Sequence, residues 1–195
     1  MREVTINRST KETDITLTLN LDGRGDSDIQ TGCGFFDHML ELFARHSRFD
    51  LTLRCNGDIN VDYHHTVEDV GIVLGQALKK ALGDMKGIVR YGSTILPMDE
   101  SLILTAIDIS GRSYLKLDLP VRAVKIGDFP VELIEEFFLA FVRHANLTLH
   151  VVKQAGTNAH HVIEGAFKSF ARSLKQAVAI DKDFADQIPS TKGVL

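Results

Sequence analysis

The chain has 195 residues, 44% of them hydrophobic and 25% charged, with 22 Lys and Arg against 26 Asp and Glu. Length and near-average composition fit one domain or two small fused ones and exclude wholesale disorder. A formal charge of −4 argues against general nucleic-acid binding.

In chain order, Ile15, Leu17, Leu19 and Leu21 alternate with polar residues, predicting a half-buried strand that ends at Asp22-Gly23. Phe36, Met39, Leu40 and Phe43 fall at i, i+3, i+4 and i+7, which is helical, and Phe49, Leu51 and Leu53 alternate again. From Thr66 to Leu82 a stripe of Val67, Val70, Leu74, Leu78 and Leu82 predicts a helix. Strands follow near Leu102–Ile109 and Tyr114–Leu119, a helix near Val131–Val142, a strand at Leu147–Val152, and a helix from about His161 to Val178. The remainder, DKDFADQIPSTKGVL, has no apolar period and reads by itself as a frayed end. Strands before and between helices, without strict βαβ alternation, predict an α+β fold with sheets on one side of the helices.

Met1–Thr10 lacks the apolar core of a secretory signal, and no stretch approaches the roughly 20 apolar residues that span a bilayer. Cys33 and Cys55 make no disulfide framework and suit a reducing cytoplasm.

Two segments are closely similar. HHTVEDVGIVLGQALKKAL opens at His64 and HHVIEGAFKSFARSLKQAV at His160, an offset of 160 − 64 = 96. Upstream, FARHSRFDLTL resembles FVRHANLTLHV with Arg45 on Arg143, an offset of 143 − 45 = 98. The chain therefore reads as two copies of one unit, residues 1–90 and 91–185, followed by a tail at 186–195.

The repeated His-His-x-x-Glu carries the chemistry. On a helix, residues four apart share a face while neighbours diverge by about 100°. His64 with Glu68 can grip one ion and His160 with Glu164 another, while His65 and His161 point elsewhere. His38, in GFFDHML, lies on the preceding helix, and 38 + 98 = 136 selects Glu136 as its counterpart. Imidazole and carboxylate without thiolate suit Mn(II), Fe(II) or Zn(II). The pattern differs from HExxH, where the Glu between two His is the base of a metalloprotease. His46 and His144 are equivalent under the repeat and read as polar residues near helix ends. His150, on a predicted strand, is ambiguous.

These residues resemble the imidazoleglycerol-phosphate dehydratase family over nearly the whole chain. The resemblance rests on TKET (Thr10–Thr13), FDHML (Phe36–Leu40), DYHHTVEDVGIVLG (Asp62–Gly75), RYGSTILPMDESL (Arg90–Leu102), DISGRSYL (Asp108–Leu115), GTNAHHVIEGAFKSFARSL (Gly156–Leu174) and PSTKGVL (Pro189–Leu195). It implies one manganese site of His38, His65, His160 and Glu164 and another of His64, Glu68, His161 and position 136, two Mn(II) per active site. Family members often have His before this Phe-Phe pair, where this chain has Glu136. It implies substrate contacts at Glu12, Arg90, Arg112, Lys168, Ser190, Thr191 and Lys192, the last three on a flexible lid. It further implies a ribosomal protein S5 domain 2-like fold, an internal duplication with helices packed between two mixed or antiparallel sheets. The assembly implied is a homo-oligomer of about 24 subunits that share active sites.

The reaction so implied is loss of water from D-erythro-imidazole glycerol phosphate in histidine biosynthesis, giving imidazole acetol phosphate. A substrate ring held as imidazolate between two cations can expel the C3 hydroxyl through a diazafulvene-like intermediate. His64, His65 and Glu164 hold the catalytic ions, and Glu12 is the carboxylate base for the C2 proton. The alternatives are a dinuclear metallohydrolase using metal-bound hydroxide, for which an Asp-rich ligand set is missing, and a non-enzymatic metal-stabilised assembly protein. In the second, Arg90, Arg112, Lys168 and Lys192 would have no phosphate to meet.

Overall fold

A computed structural model describes residues 2–195. The first half runs β1 (Glu3–Ser9), β2 (Thr13–Asn20), β3 (Ser27–Gln30), α1 (Gly34–Ser47), β4 (Asp50–Gly57) and α2 (His64–Leu82). The second runs β5 (Tyr91–Met98), β6 (Ser101–Asp108), β7 (Tyr114–Asp118), a ribbon of β8 (Lys125–Ile126) and β9 (Phe129–Pro130), α3 (Leu133–Ala145), β10 (Thr148–Ala155) and α4 (Ala159–Ala177). A 3-10 turn at Lys182–Phe184 follows.

Each half builds the same four-stranded sheet, in order β1-β2-β4-β3 and β5-β6-β10-β7. In both, the last pair is parallel and the others antiparallel. Among the described strands, the β8–β9 ribbon before α3 is the one addition without a counterpart. Alternation drives the central strands, with Ile15, Leu17 and Leu19 of β2 at most 1% exposed. Each pair of helices covers its own sheet, and the halves join helix to helix, α2 on α3 and α1 on α4. The helices therefore lie between two sheets, an α+β architecture.

The seam between the halves is aromatic and close. Phe43 stacks on Phe170 at 5.4 Å, and Phe36 meets Phe137 edge-on at 5.5 Å. Gly71 and Gly75 let α2 approach α3. A Cβ on them would sit 2.7 Å from the Phe137 carbonyl oxygen and 2.6 Å from that of Phe141.

Five strands were invisible to the periodicity: β1, β3, β5 and the two-residue β8 and β9. β1 and β5 sit at sheet edges, where β1 alternates only between exposed and half-buried residues, and four-residue β3 buries Ile29 alone. The tail also differs from a frayed end. Gly87 N donates to Gln187 O at 2.8 Å, Arg90 Nη1 donates to Pro189 O at 2.8 Å, and Leu195 packs partly buried against the core. No helix is long and apolar enough to cross a membrane, and Cys33 and Cys55 are both free thiols.

Candidate metal centre and phosphate site

The two His pairs occupy the first turns of α2 and α4. Asp62 accepts from His64 N at 2.8 Å, and Asn158, the N-cap of α4, accepts from His160 N at 2.9 Å and His161 N at 3.4 Å. These bonds start each helix in a register that sends the first imidazole toward the Glu four residues on. His160 Nε2 lies 3.1 Å from Glu164 Oε2, and His64 Nε2 lies 3.7 Å from Glu68 Oε2.

His38 reaches the second pair from α1, its Nε2 standing 4.0 Å from Glu164 Oε2. Ligand atoms of His38, His160 and Glu164 all fall within 4.8 Å of one another, the only such group of three among the described residues. Phe35 sets its ring edge-on to His160 at 5.4 Å. Glu164 is 8% exposed. Burial opposes its charge, but Lys168, with Nζ 2.5 Å from Oε1, and His160 outweigh it and hold the carboxyl below its ordinary range. The group therefore presents an ionised carboxylate and two imidazoles at one point.

The other expected ligands stand apart within one chain. His65 turns Nδ1 to Asp58 at 3.0 Å, and Glu12 Oε1 lies 3.7 Å from its Nε2. His161 turns Nδ1 to Glu100 Oε2 at 2.8 Å. Asp58 and Glu100 raise the pKa of the ring each one contacts, and Glu100 is itself pushed down to about 2 by His161 and the Asn158 N–H. Glu136 is half-buried in the first turn of α3 and joins no group of three ligands among the described residues. His150 lies against Tyr114 at 5.4 Å, and His144 Nδ1 bonds the Ala140 carbonyl at 2.8 Å. His46 is half-buried, and its burial, with Lys168 and Arg172 nearby, lowers its pKa.

The anion candidates divide. Arg90, Arg112, Ser190, Thr191 and Lys192 line one cavity of about 880 Å³ between the tail and the end of β6. Lys168 is instead on α4 beside Glu164. Arg90 is engaged inside that cavity wall, donating from Nε to Asp108 Oδ1 at 2.7 Å as well as to Pro189 O. Sequence reasoning passed over Asp58, Glu100 and Asn158. Glu100 had a legible signal, because Glu12-Thr13 at the start of β2 matches Glu100-Ser101 at the start of β6 at the offset 100 − 12 = 88. Asp58 sits in an irregular loop with no repeat partner of its type, since 58 + 98 = 156 is Gly156.

Comparison with known proteins agrees along the chain. A family profile described as imidazoleglycerol-phosphate dehydratase matches residues 31–174. Proteins of that name from Dinoroseobacter shibae and Xanthobacter autotrophicus are 56% and 58% identical over 195 residues, covering all of this chain and 100% and 99% of theirs. The crystal structure of the Staphylococcus aureus dehydratase superposes with a TM-score of 0.84 at 41% identity, over 92% of this chain and 99% of that one. That of the Pyrococcus furiosus protein, in complex with (S)-C348, gives 0.84 at 35% identity, over 97% and 100%. With its fold, its paired His-His-x-x-Glu helices and these full-length likenesses, the chain belongs to the imidazoleglycerol-phosphate dehydratase family and is an enzyme of the dehydratase class.

Proposed function

We propose that the chain converts D-erythro-imidazole glycerol phosphate to imidazole acetol phosphate and water, a cytoplasmic step of histidine biosynthesis, using two Mn(II) ions per active site. The observation that carries this reading is the convergence of His38, His160 and Glu164 beside Lys168. Nitrogen and oxygen donors without thiolate fit Mn(II). In this reading His38, His65, His160 and Glu164 hold one ion, and His64, Glu68, His161 and Glu136 the other. When bound, the ions supply Lewis acidity that lowers the proton affinity of the substrate's imidazole.

The chain's own residues do the rest. Glu12 has a half-exposed carboxylate with no hydrogen-bond partner of its own among the described residues, next to the Nε2 face of His65. After the imidazole's electrons expel the C3 hydroxyl, Glu12 takes the C2 proton, which returns an electron pair to the ring, and the resulting enol tautomerises to the ketone. Arg90, Arg112, Lys192, Ser190 and Thr191 bind phosphate at the tail cavity, the Arg side chains suited to paired contacts. The tail at 186–195 then works as a cover that excludes water.

The separation of His65, His161 and Lys168 from the groups they would complete supports sites shared between copies, in a homo-oligomer of about 24 subunits. Incubating the purified protein with imidazole glycerol phosphate and Mn(II) and following the enolisable ketone tests the reading. Formation of that ketone only with metal supports it, and turnover unaffected by verified metal removal overturns it.

A further inference from the structure

We propose that Glu100 and Asp58 are positioning residues that fix the tautomers of His161 and His65, so that each presents an unprotonated Nε2 to metal; this rests on the metal-binding reading above. In the other three candidate imidazoles, Nε2 is the atom facing a candidate carboxylate ligand: His160 and His38 toward Glu164, at 3.1 and 4.0 Å, and His64 toward Glu68, at 3.7 Å. His65 and His161 have no such carboxylate ligand in their own chain, so something else must choose which nitrogen keeps the proton. An ionised carboxylate can only accept a hydrogen bond. Glu100 Oε2 at 2.8 Å from His161 Nδ1 therefore keeps the proton on Nδ1, and Asp58, at 3.0 and 3.2 Å from His65 Nδ1, does the same there. The neutral ring then carries its lone pair on Nε2 in both cases.

Glu100 also ties this brace to the helix start. Its Oε1 accepts from Asn158 N at 2.9 Å and Thr157 N at 3.3 Å, so one carboxylate fixes both the entry to α4 and the ring on its first turn. The duplication adds an independent observation. Glu12 and Glu100 are equivalent, since 100 − 12 = 101 − 13 = 108 − 20 = 88 along β2 and β6. In the second half this carboxylate is the brace on Nδ1. In the first half Asp58 holds Nδ1, and Glu12 stands on the Nε2 side of His65 at 3.7 Å. The equivalent position is thus a brace in one half and a free carboxylate in the other.

Glu100→Gln is the informative change. The amide oxygen can still accept from Asn158 N and Thr157 N, but the amide NH₂ facing His161 can only donate. Nδ1 then becomes the acceptor, and the proton moves to Nε2, where it blocks coordination. Mn(II) binding to the assembled protein, counted and titrated by electron paramagnetic resonance, should show about a 10–100-fold weaker affinity at one of two sites. The thermal midpoint of the metal-free protein should stay within a few degrees of the parent's. Asp58→Asn should weaken the other site by a similar factor. In a His161→Ala background, Glu100→Gln should cost no further affinity, which a general structural role would not reproduce. A parent protein that binds two ions and a Glu100→Gln variant that binds both as tightly overturns the proposal alone. A parent that binds no Mn(II) overturns the metal reading and the proposal with it.

Discussion

Replacing Arg90 with Lys keeps the positive charge and removes the fork that pins the tail. Arg90 donates from Nε to Asp108 Oδ1 at 2.7 Å, from Nη2 to Oδ2 at 3.3 Å and from Nη1 to Pro189 O at 2.8 Å. A Lys ammonium is a point donor without the planar fork, so Asp108 or Pro189 loses its partner. A hydrogen bond to a charged group is worth about 1.5–3 kcal/mol. The Arg90 and Asp108 side chains keep 14% and 22% exposure, and solvent screening brings the loss to about 1–2 kcal/mol. That corresponds to a factor of about 5–30 in the population of the opened tail. Tryptic cleavage after Lys192 accelerates by that factor for a tail that is mostly closed, since proteolysis reads the opened population when closing is fast. If Ser190–Lys192 meet phosphate only with the tail in place, kcat/KM falls with the closed fraction, by that factor at most. A fall in kcat/KM with unchanged cleavage would refute tail anchoring and leave Arg90 a direct phosphate contact only. No change in either would refute both roles.

Glu12→Gln should lower kcat by about 10²–10⁴ while leaving Mn(II) content unchanged, as loss of a general base does; loss of metal instead would make Glu12 a ligand. Gly75→Ala should lower the thermal midpoint of the metal-free protein. A Cβ 2.6 Å from Phe141 O forces α2 and α3 apart at about 1–3 kcal/mol, against about 1 kcal/mol gained in helix propensity, and a raised midpoint would show that the seam yields freely. Asp50 resists burial's upward push because Arg24, Asp26 and Gly25 donate backbone N–H groups to it, so its folded pKa lies below the usual 3.8. Its stabilising contribution is then full above that value and lost as pH falls through the folded pKa. Urea unfolding of Asp50→Asn should show a deficit at neutral pH that closes in acid, and a constant deficit would refute the linkage. If the sites are shared between copies as proposed, chelation should reduce the particle to smaller oligomers that Mn(II) restores, because an ion bound only by an assembled form stabilises it by mass action. Light scattering that shows an unchanged particle after metal removal would count against shared sites.

What was readable in the sequence follows from which interactions are periodic. Ile15, Leu17 and Leu19, or Val67, Val70 and Leu74, bury at the period of their element, so central strands and helices were legible. Edge strands β1 and β5 bury one half-covered face and leave a weak alternation. The pairing of His160 with Glu164 was legible because i and i+4 share a helix face. The approach of His38 was legible only through the repeat, since its contact crosses from α1 to α4. Contacts made by loops carry no period at all. Asp58 on His65 and Arg90 on Pro189 depend on chain reversals that no spacing rule encodes.

The duplication explains why the site is legible in fragments. Each half supplies a helix that starts with a His–Glu pair four residues apart and a second imidazole about 100° around the axis. A single helix cannot fold that second ring back onto its own pair, however the sequence varies. Two halves in one chain do not solve the problem either, because α2 packs on α3 and α4 on α1, and His65 and His161 remain on their own carboxylates. On the proposed two-ion reading, the geometry that lets neighbouring imidazoles serve two ions is the same geometry that leaves each chain in need of another copy. The residues that such a chain would control alone are the proposed braces, Asp58 and Glu100, which set the nitrogen that each ring offers.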